Sequence, residues 1–342
     1  MSNKLLGAIK RRVIYFPITD QYAAKRVVAH VIKDSNDSII LPFSDLPYPT
    51  TKEILSRKFG CITICEPDAS RRDILQQYIN ENIRKKNIIV QTDDLFELSF
   101  KTHCDTAQKR CADIVKNSLD RVVKKSGPAT TVKFLVPLLR SKYESAFLTN
   151  LYYQICCKFG LCATQLVNYY FLISDRQKNY LDARPSEDMR LYRSTTILYN
   201  TIFNITTLDS FDLRSCFGIS VRKLQNTSAA HNSLYKSVHL VSLEPRLEII
   251  NRMDARSFVE FRFLVTQMMH KRTGLVNDFL ARFFNDFDHD LTFIGIDRST
   301  RCGDLNRDQY FNLFLYLKNR YDYSNSTFLQ AVASSDDSIL SL

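Results

Sequence analysis

Three short apolar runs recur early in the chain: Ser38-Ile-Ile-Leu-Pro-Phe43, Cys61-Ile-Thr-Ile-Cys65 and Ile88-Ile-Val-Gln91. Each has the length of a buried strand, and stretches with helical spacing of apolar residues separate them. Arg71 to Lys86 predicts an amphipathic helix that turns Ile74, Leu75, Tyr78, Ile79 and Ile83 inward, and Thr102 to Lys125 predicts another with a basic face. Gly127-Pro128 then breaks the chain. Thr131-Val-Lys-Phe-Leu-Val136 reads as a fourth strand, Tyr143 to Phe159 as a helix and Thr164 to Ile173 as a fifth strand. Alternation of strand and helix implies a parallel sheet in a doubly wound, Rossmann-like α/β fold.

After Leu191 the pattern shifts to β-prone stretches, Thr201 to Leu208 and Ser237 to Leu243, and from about residue 254 it turns helical, notably Ser257 to His270 and Asp308 to Tyr321. The expected division is an α/β domain over 15–250 and a small helical C-terminal domain over 251–342. The polar tail Ser334 to Ser338 is expected to fray. Residues 1–14 contain no acid and carry Lys4, Lys10, Arg11 and Arg12 among apolar residues. That pattern serves equally for an organelle targeting segment and for a basic first helix.

Composition narrows the function classes. Of 342 residues, 45% are hydrophobic, enough for a full core. Lys and Arg number 47 against 36 Asp and Glu, a net charge of +11, which suits a polyanionic partner such as RNA or DNA. Nine cysteines, an odd number without a secretory leader pattern, argue for reduced, mostly buried thiols. The spacings Cys61-x3-Cys65 and Cys104-x6-Cys111 lack the paired CxxC units of a structural zinc site, so no metal is expected. Asp286-x-Asp288-x-Asp290 begins like a calcium loop but has Leu291 where glycine is required. No apolar run reaches the length of a membrane span, and no Ser-His-Asp or Cys-His signature stands out.

In a doubly wound fold the turn after the first strand decides cofactor binding. Here it is Ser44-Asp45-Leu46-Pro47-Tyr48-Pro49-Thr50, with no glycine and two prolines. Glycine admits close backbone approach and positive φ, whereas proline fixes φ and removes a donor. The loop is therefore expected to cradle a ligand poorly. Glu66 closes the second strand, where a carboxylate could hold ribose hydroxyls, and Asp94 follows the third.

The order of these features resembles the ribosomal RNA adenine dimethyltransferases and their offshoot, the mitochondrial transcription factor B proteins, from about Tyr15 to Tyr321. Phe16-Pro-Ile-Thr-Asp-Gln-Tyr-Ala-Ala-Lys-Arg-Val-Val-Ala-His30 matches the family's opening motif and helix, and Thr50-Thr51-Lys52-Glu53-Ile54 keeps the end of its glycine-rich motif. Leu46 and Tyr48 stand where that motif has glycines, Glu66 at its acidic motif and Asp94-Leu95-Phe96-Glu97-Leu98 at its Gly-Asp segment. Leu191 to Leu198 resembles the helix before the sixth strand, Leu234 to Arg246 the closing strand with its Pro-Arg end, and Asp308 to Phe314 part of the small helical domain. The family's Asn-hydrophobic-Pro-aromatic motif, which grips a flipped adenine, falls on Val136, Pro137, Leu138 and Leu139, with neither asparagine nor aromatic.

The resemblance implies a class I methyltransferase sheet with a small helical C-terminal domain. Decay at both chemical motifs resembles the second transcription factor B paralogue: a non-catalytic, monomeric factor of the mitochondrial matrix that binds promoter DNA, assists mitochondrial RNA polymerase in promoter opening, and holds S-adenosylmethionine vestigially or not at all. Two alternatives stay open, a divergent S-adenosylmethionine-dependent ribosomal RNA adenine N6-dimethyltransferase using Glu66 and Asp94, and a non-catalytic RNA-binding ribosome-assembly protein. Between Lys101 and Glu144 stand ten basic residues against four acids. Lys109, Arg110, Lys116, Arg121, Lys124, Lys125, Arg140 and Lys142 are the expected phosphate contacts, with Lys101 and Lys133 in the same strip and Tyr143 as a base-stacking candidate.

Overall fold

The computed structural model describes residues 17–42, 44–45, 48–83, 87–92, 132–137, 141–156, 167–187, 189–217, 236–284, 287 and 291–339. Seven strands, β1 (Ser38–Leu41), β2 (Cys61–Cys65), β3 (Ile88–Gln91), β4 (Val132–Pro137), β5 (Val167–Ser174), β6 (Phe203–Asp212) and β7 (Ser237–Pro245), form one sheet in the order β3-β2-β1-β4-β5-β7-β6. β1, β2, β3, β4 and β5 pair in parallel, and β7 runs antiparallel to β5 with Ile173 opposite His239. β1 lies between β2 and β4, so the chain order reverses there and the crevice of a doubly wound sheet opens at the carboxyl ends of β1 and β4.

The central strands are buried along their length, which is why they read as continuous apolar runs rather than alternating ones. Gly60 enters β2 under a close contact: a Cβ there would stand 2.6 Å from the carbonyl oxygen of Asn36, so the turn admits only glycine. Helix α1 (Gln21–Val31) starts at Asp20, whose carboxylate accepts from the Ala23 N–H, and buries Ala23, Ala24, Val27, Val28 and Val31 against the sheet core. Helix α2 (Pro49–Ser56) follows β1, and helix α3 (Ala69–Asn82) follows β2, capped by Asp68. α3 buries Leu75 and Ile79, but Ile74 is 52% exposed rather than inward. Ile74 lies about 100° behind Leu75 and about 40° beyond half-buried Tyr78, at the solvent edge of the stripe that Leu75 and Ile79 centre. The helix predicted over Thr102 to Lys125 lies outside the described residues.

By contact density the chain divides into two units: the described part of Ile9–Lys178 with Ile205–Pro245, and Asn179–Asn204 with Arg246–Leu342. The first holds the sheet, helix α4 (Ser141–Cys156), the start of helix α5 (Asp175–Asp182) and helix α7 (Leu213–Phe217). The second takes in Asn179–Asn204, which the sequence pattern had left with the α/β part. Its helix α6 (Ser194–Ile202) packs against α9 (Ala255–His270) and α11 (Arg307–Lys318), with the short helices α8 (Leu247–Ile250) and α10 (Val276–Leu280) between them in the chain. Arg307 donates to the Asn200 carbonyl at 2.8 Å, and the Tyr192 hydroxyl to that of Leu305 at 2.7 Å. Aromatic rings fill this unit, with Phe261 against Phe314 and Phe263 and Phe284 against Phe328, so these phenylalanines are core. The polar tail does not fray at Ser334: helix α12 runs Thr327–Ile339, and the Ser334 and Ser335 hydroxyls donate back to the Gln330 and Val332 carbonyls.

Candidate functional site

The turn after β1 is closed by its own side chains. Asp45 Oδ1 accepts from the Thr51 N–H at 2.7 Å, Thr51 Oγ1 accepts from the Asp45 N–H at 3.2 Å, and the Tyr48 N–H donates to the Asp45 carbonyl at 2.8 Å. An unpaired amide at the start of a helix is what an anionic ligand would seek. Here the protein's own carboxylate takes the Thr51 amide. Burial of its carboxyl raises the Asp45 pKa despite the hydrogen bonds from Thr51 and Thr50 that oppose the shift. Tyr48, at one of the two positions where the resembled motif has glycine, precedes α2 in extended backbone with φ −70°, a conformation that needs no glycine. Leu46 lies outside the described residues.

Glu66 stands at the carboxyl end of β2, where the sequence placed it, but only 2% of its surface is exposed. Its Oε2 accepts from the Ser44 N–H at 3.3 Å and its Oε1 from the Asp68 N–H at 3.2 Å, so the carboxylate ties the two strand ends together. Desolvation is the largest influence on it and raises its pKa against those two bonds and the nearby Arg71. Arg72 donates to the Glu66 and Pro67 carbonyls, at 2.9 and 2.7 Å.

Gln91, the residue that closes β3, was not singled out by sequence. Its Oε1 faces the Cys65 thiol at 3.8 Å, and its Nε2 is buried without a partner. A polar side chain ending an apolar run was the only signal for it. Asp94 lies outside the described residues. Val136 is fully buried and brings no polar group to the end of β4, and Leu138 and Leu139 lie outside the described residues. Glu144, in the first turn of α4, accepts from the Ser174 N–H at 3.1 Å and the Ser174 hydroxyl at 2.7 Å. Complete burial pushes the Glu144 carboxyl up to about 8.

A nucleoside cofactor of the S-adenosylmethionine type fits this edge poorly. The loop that should approach it is stapled by Asp45 and Thr51, and the carboxylate that should hold its ribose is turned inward onto Ser44 and Asp68.

Of the basic strip, Lys109, Arg110, Lys116, Arg121, Lys124, Lys125 and Arg140 lie outside the described residues, as does Lys101. Lys142 stands in the first turn of α4. Lys133 does not belong to a phosphate-facing surface: it is 6% exposed in β4, where its Nζ pairs with Asp37. Its position in a central strand, not its charge, decides this. Among the described residues Cys61, Cys65, Cys216 and Cys302 are buried free thiols. Among the described residues no three His, Cys, Asp or Glu groups converge as metal ligands, and no helix is long and apolar enough to cross a membrane.

The strand order, the antiparallel β7 and the appended helical unit define a Rossmann-like methyltransferase fold. Two of the solved structures similar to it illustrate the likeness. The 23S rRNA methyltransferase ErmE aligns with a TM-score of 0.54 at 13% identity, covering 89% of this chain and all of that one. A dimethyladenosine transferase from Plasmodium falciparum aligns with a TM-score of 0.54 at 11% identity, covering 88% of this chain and 97% of the other. No protein-family model matches this sequence, and no curated protein is similar to it in sequence.

Proposed function

We propose that this protein is a non-catalytic nucleic-acid-binding factor on a ribosomal RNA adenine dimethyltransferase fold, acting in the mitochondrial matrix with the single-subunit RNA polymerase to open promoter DNA. The observation that carries the reading is the state of the sheet's carboxyl edge. Asp45 fills the loop, Glu66 is turned inward, and Val136 stands where an active enzyme would grip adenine.

Charge supports the nucleic-acid half of the proposal. Residues 9–178 and 205–245 carry 31 Lys and Arg against 20 Asp and Glu, a net +11. Residues 1–8, 179–204 and 246–342 carry 16 against 16, a net charge of zero. The basic excess therefore belongs wholly to the α/β part, as phosphate neutralisation by one face would require.

The test is calorimetric titration of the protein with S-adenosylmethionine, beside matched titrations with a bubble-containing promoter duplex and an RNA duplex. Salt-sensitive bubble binding without cofactor heat is the expected result. Micromolar cofactor binding would make methyl transfer to ribosomal RNA the better reading, a possibility that the likeness to two rRNA-type methyltransferase structures keeps specific. Preference for the RNA duplex would favour a role in ribosome assembly.

A further inference from the structure

Apart from the crevice, three side chains far apart in sequence meet on the α/β unit. Asp175 is the first residue of α5, directly after β5; His239 lies on β7; Ser210 lies on β6. His239 Nε2 stands 2.6 Å from Asp175 Oδ1, and His239 Nδ1 stands 2.8 Å from the Ser210 hydroxyl. The other carboxylate oxygen, Asp175 Oδ2, accepts from the Ser237 N–H at 2.8 Å and the Lys236 N–H at 3.1 Å. The carboxylate is thus fixed by backbone, and it fixes the ring.

The tautomer follows from the donors available. An ionised carboxylate only accepts, so a neutral imidazole facing it carries its proton on Nε2. Nδ1 is then a lone pair, and Ser210 must donate to it. The hydroxyl of an exposed serine directed at the basic nitrogen of an oriented imidazole is the arrangement that activates a nucleophile. His239 itself is only 9% exposed, which holds the ring in place while Ser210 faces solvent.

We infer that Ser210 is a base-activated nucleophile, with His239 as general base and Asp175 as its positioning residue, that takes an acyl group from small activated esters. The step is balanced within the protein. Ser210 Oγ bonds to the ester carbonyl carbon while its proton passes to His239 Nδ1. The tetrahedral adduct collapses by breaking the bond to the leaving alkoxide, which takes the proton from Nδ1 and departs as the alcohol. Water then attacks the Ser210 ester by the same route and releases the carboxylic acid. This inference is independent of the DNA-binding proposal, whose non-catalytic reading concerns methyl transfer alone.

General-base assistance alone supplies about 10²- to 10⁴-fold, so acylation of Ser210, rather than fast turnover, is the readable event. The full chain is exposed to p-nitrophenyl acetate and the acetylated serines are mapped by mass spectrometry over time. Ser215, exposed on the same unit without an imidazole partner among the described contacts, is the internal reference. Ser210 is expected to acetylate at least about 100-fold faster than Ser215, and His239→Gln to bring the two together. Equal rates in the unaltered protein would overturn the inference whatever the variant does, as would a Ser210 rate unchanged in a folded His239→Gln. For Asp175, ¹⁵N spectra of the His239 ring should show the Nε2–H tautomer, replaced by a tautomer mixture in Asp175→Asn. A purely structural carboxylate would leave that signature unmoved.

Discussion

Lys133 Nζ stands 2.6 Å from Asp37 Oδ2 and 2.8 Å from the Val31 carbonyl oxygen, inside the sheet. Asp37 in turn accepts from the Lys33 and Asp34 amides, so one carboxylate joins the end of α1 and the starts of β1 and β4. Breaking a buried pair from one side leaves the other charge without its partner, at a cost of about 3–5 kcal/mol. Lys133→Met should fall at the lower end, since the two amides still serve Asp37. Urea denaturation measures it, and a loss under about 1 kcal/mol would contradict the pairing. Under the proposed function, the salt dependence of DNA binding should not change in this variant.

Glu144 gives a pH dependence with a definite sign. Its folded pKa, about 8, lies above the ordinary carboxylate value of 4.5. The folded state therefore binds the proton more tightly than the unfolded chain, so this carboxyl's contribution is full below about pH 4.5 and is lost as pH rises through about 8. Glu144→Gln keeps an acceptor for the Ser174 N–H and removes the ionisation, its amide N–H donating to the Ser174 hydroxyl instead of accepting from it. Denaturation midpoints of the two proteins should converge in acid and separate in favour of Gln at pH 8 to 9. Parallel curves would show that the carboxyl is not held neutral.

The strands were legible because burial on both faces removes alternation and leaves Ile39-Ile40-Leu41 and Ile62-Thr63-Ile64 as plain apolar runs. Helices were legible as far as their stripe was narrow: Leu75 and Ile79 were placed correctly, but Ile74 was not, because one apolar neighbour does not reveal on which side the sheet lies. Charge was the poorest guide to place. Lys133 and Glu144 counted alike with surface residues of the strip, yet both are buried, and only their partners Asp37 and Ser174, distant in sequence, reveal it. The Ser210, His239 and Asp175 cluster left no trace in spacing at all, because sheet pairing of β5 with β7 and of β7 with β6 assembles it.

Gln91 Nε2 is a buried donor without a partner, and such a group costs about 1–3 kcal/mol. Gln91→Met removes the donor, keeps similar length, and forfeits only a weak contact with the Cys65 thiol at 3.8 Å. Its effect on stability should therefore be neutral or favourable, by up to about 1 kcal/mol. A thermal melt decides it. A clear loss would mean that the amide is satisfied in solution, by water or by a group beyond β3.

Lys124 and Lys125 follow from the basic excess of the α/β part rather than from a described surface. If both contact phosphates, each releases about 0.9 counterion per contact, so Lys124→Glu with Lys125→Glu should lower the slope of log K against log salt by roughly two for a promoter duplex. Reversal also adds repulsion, which weakens binding at every salt concentration but most where screening is least. The slope is therefore the informative quantity, and affinity at one salt is not. An unchanged slope with weaker binding would place these lysines near the duplex without contact, and the strip would have to be sought elsewhere on the basic unit. An unchanged slope and affinity would remove them from the interface.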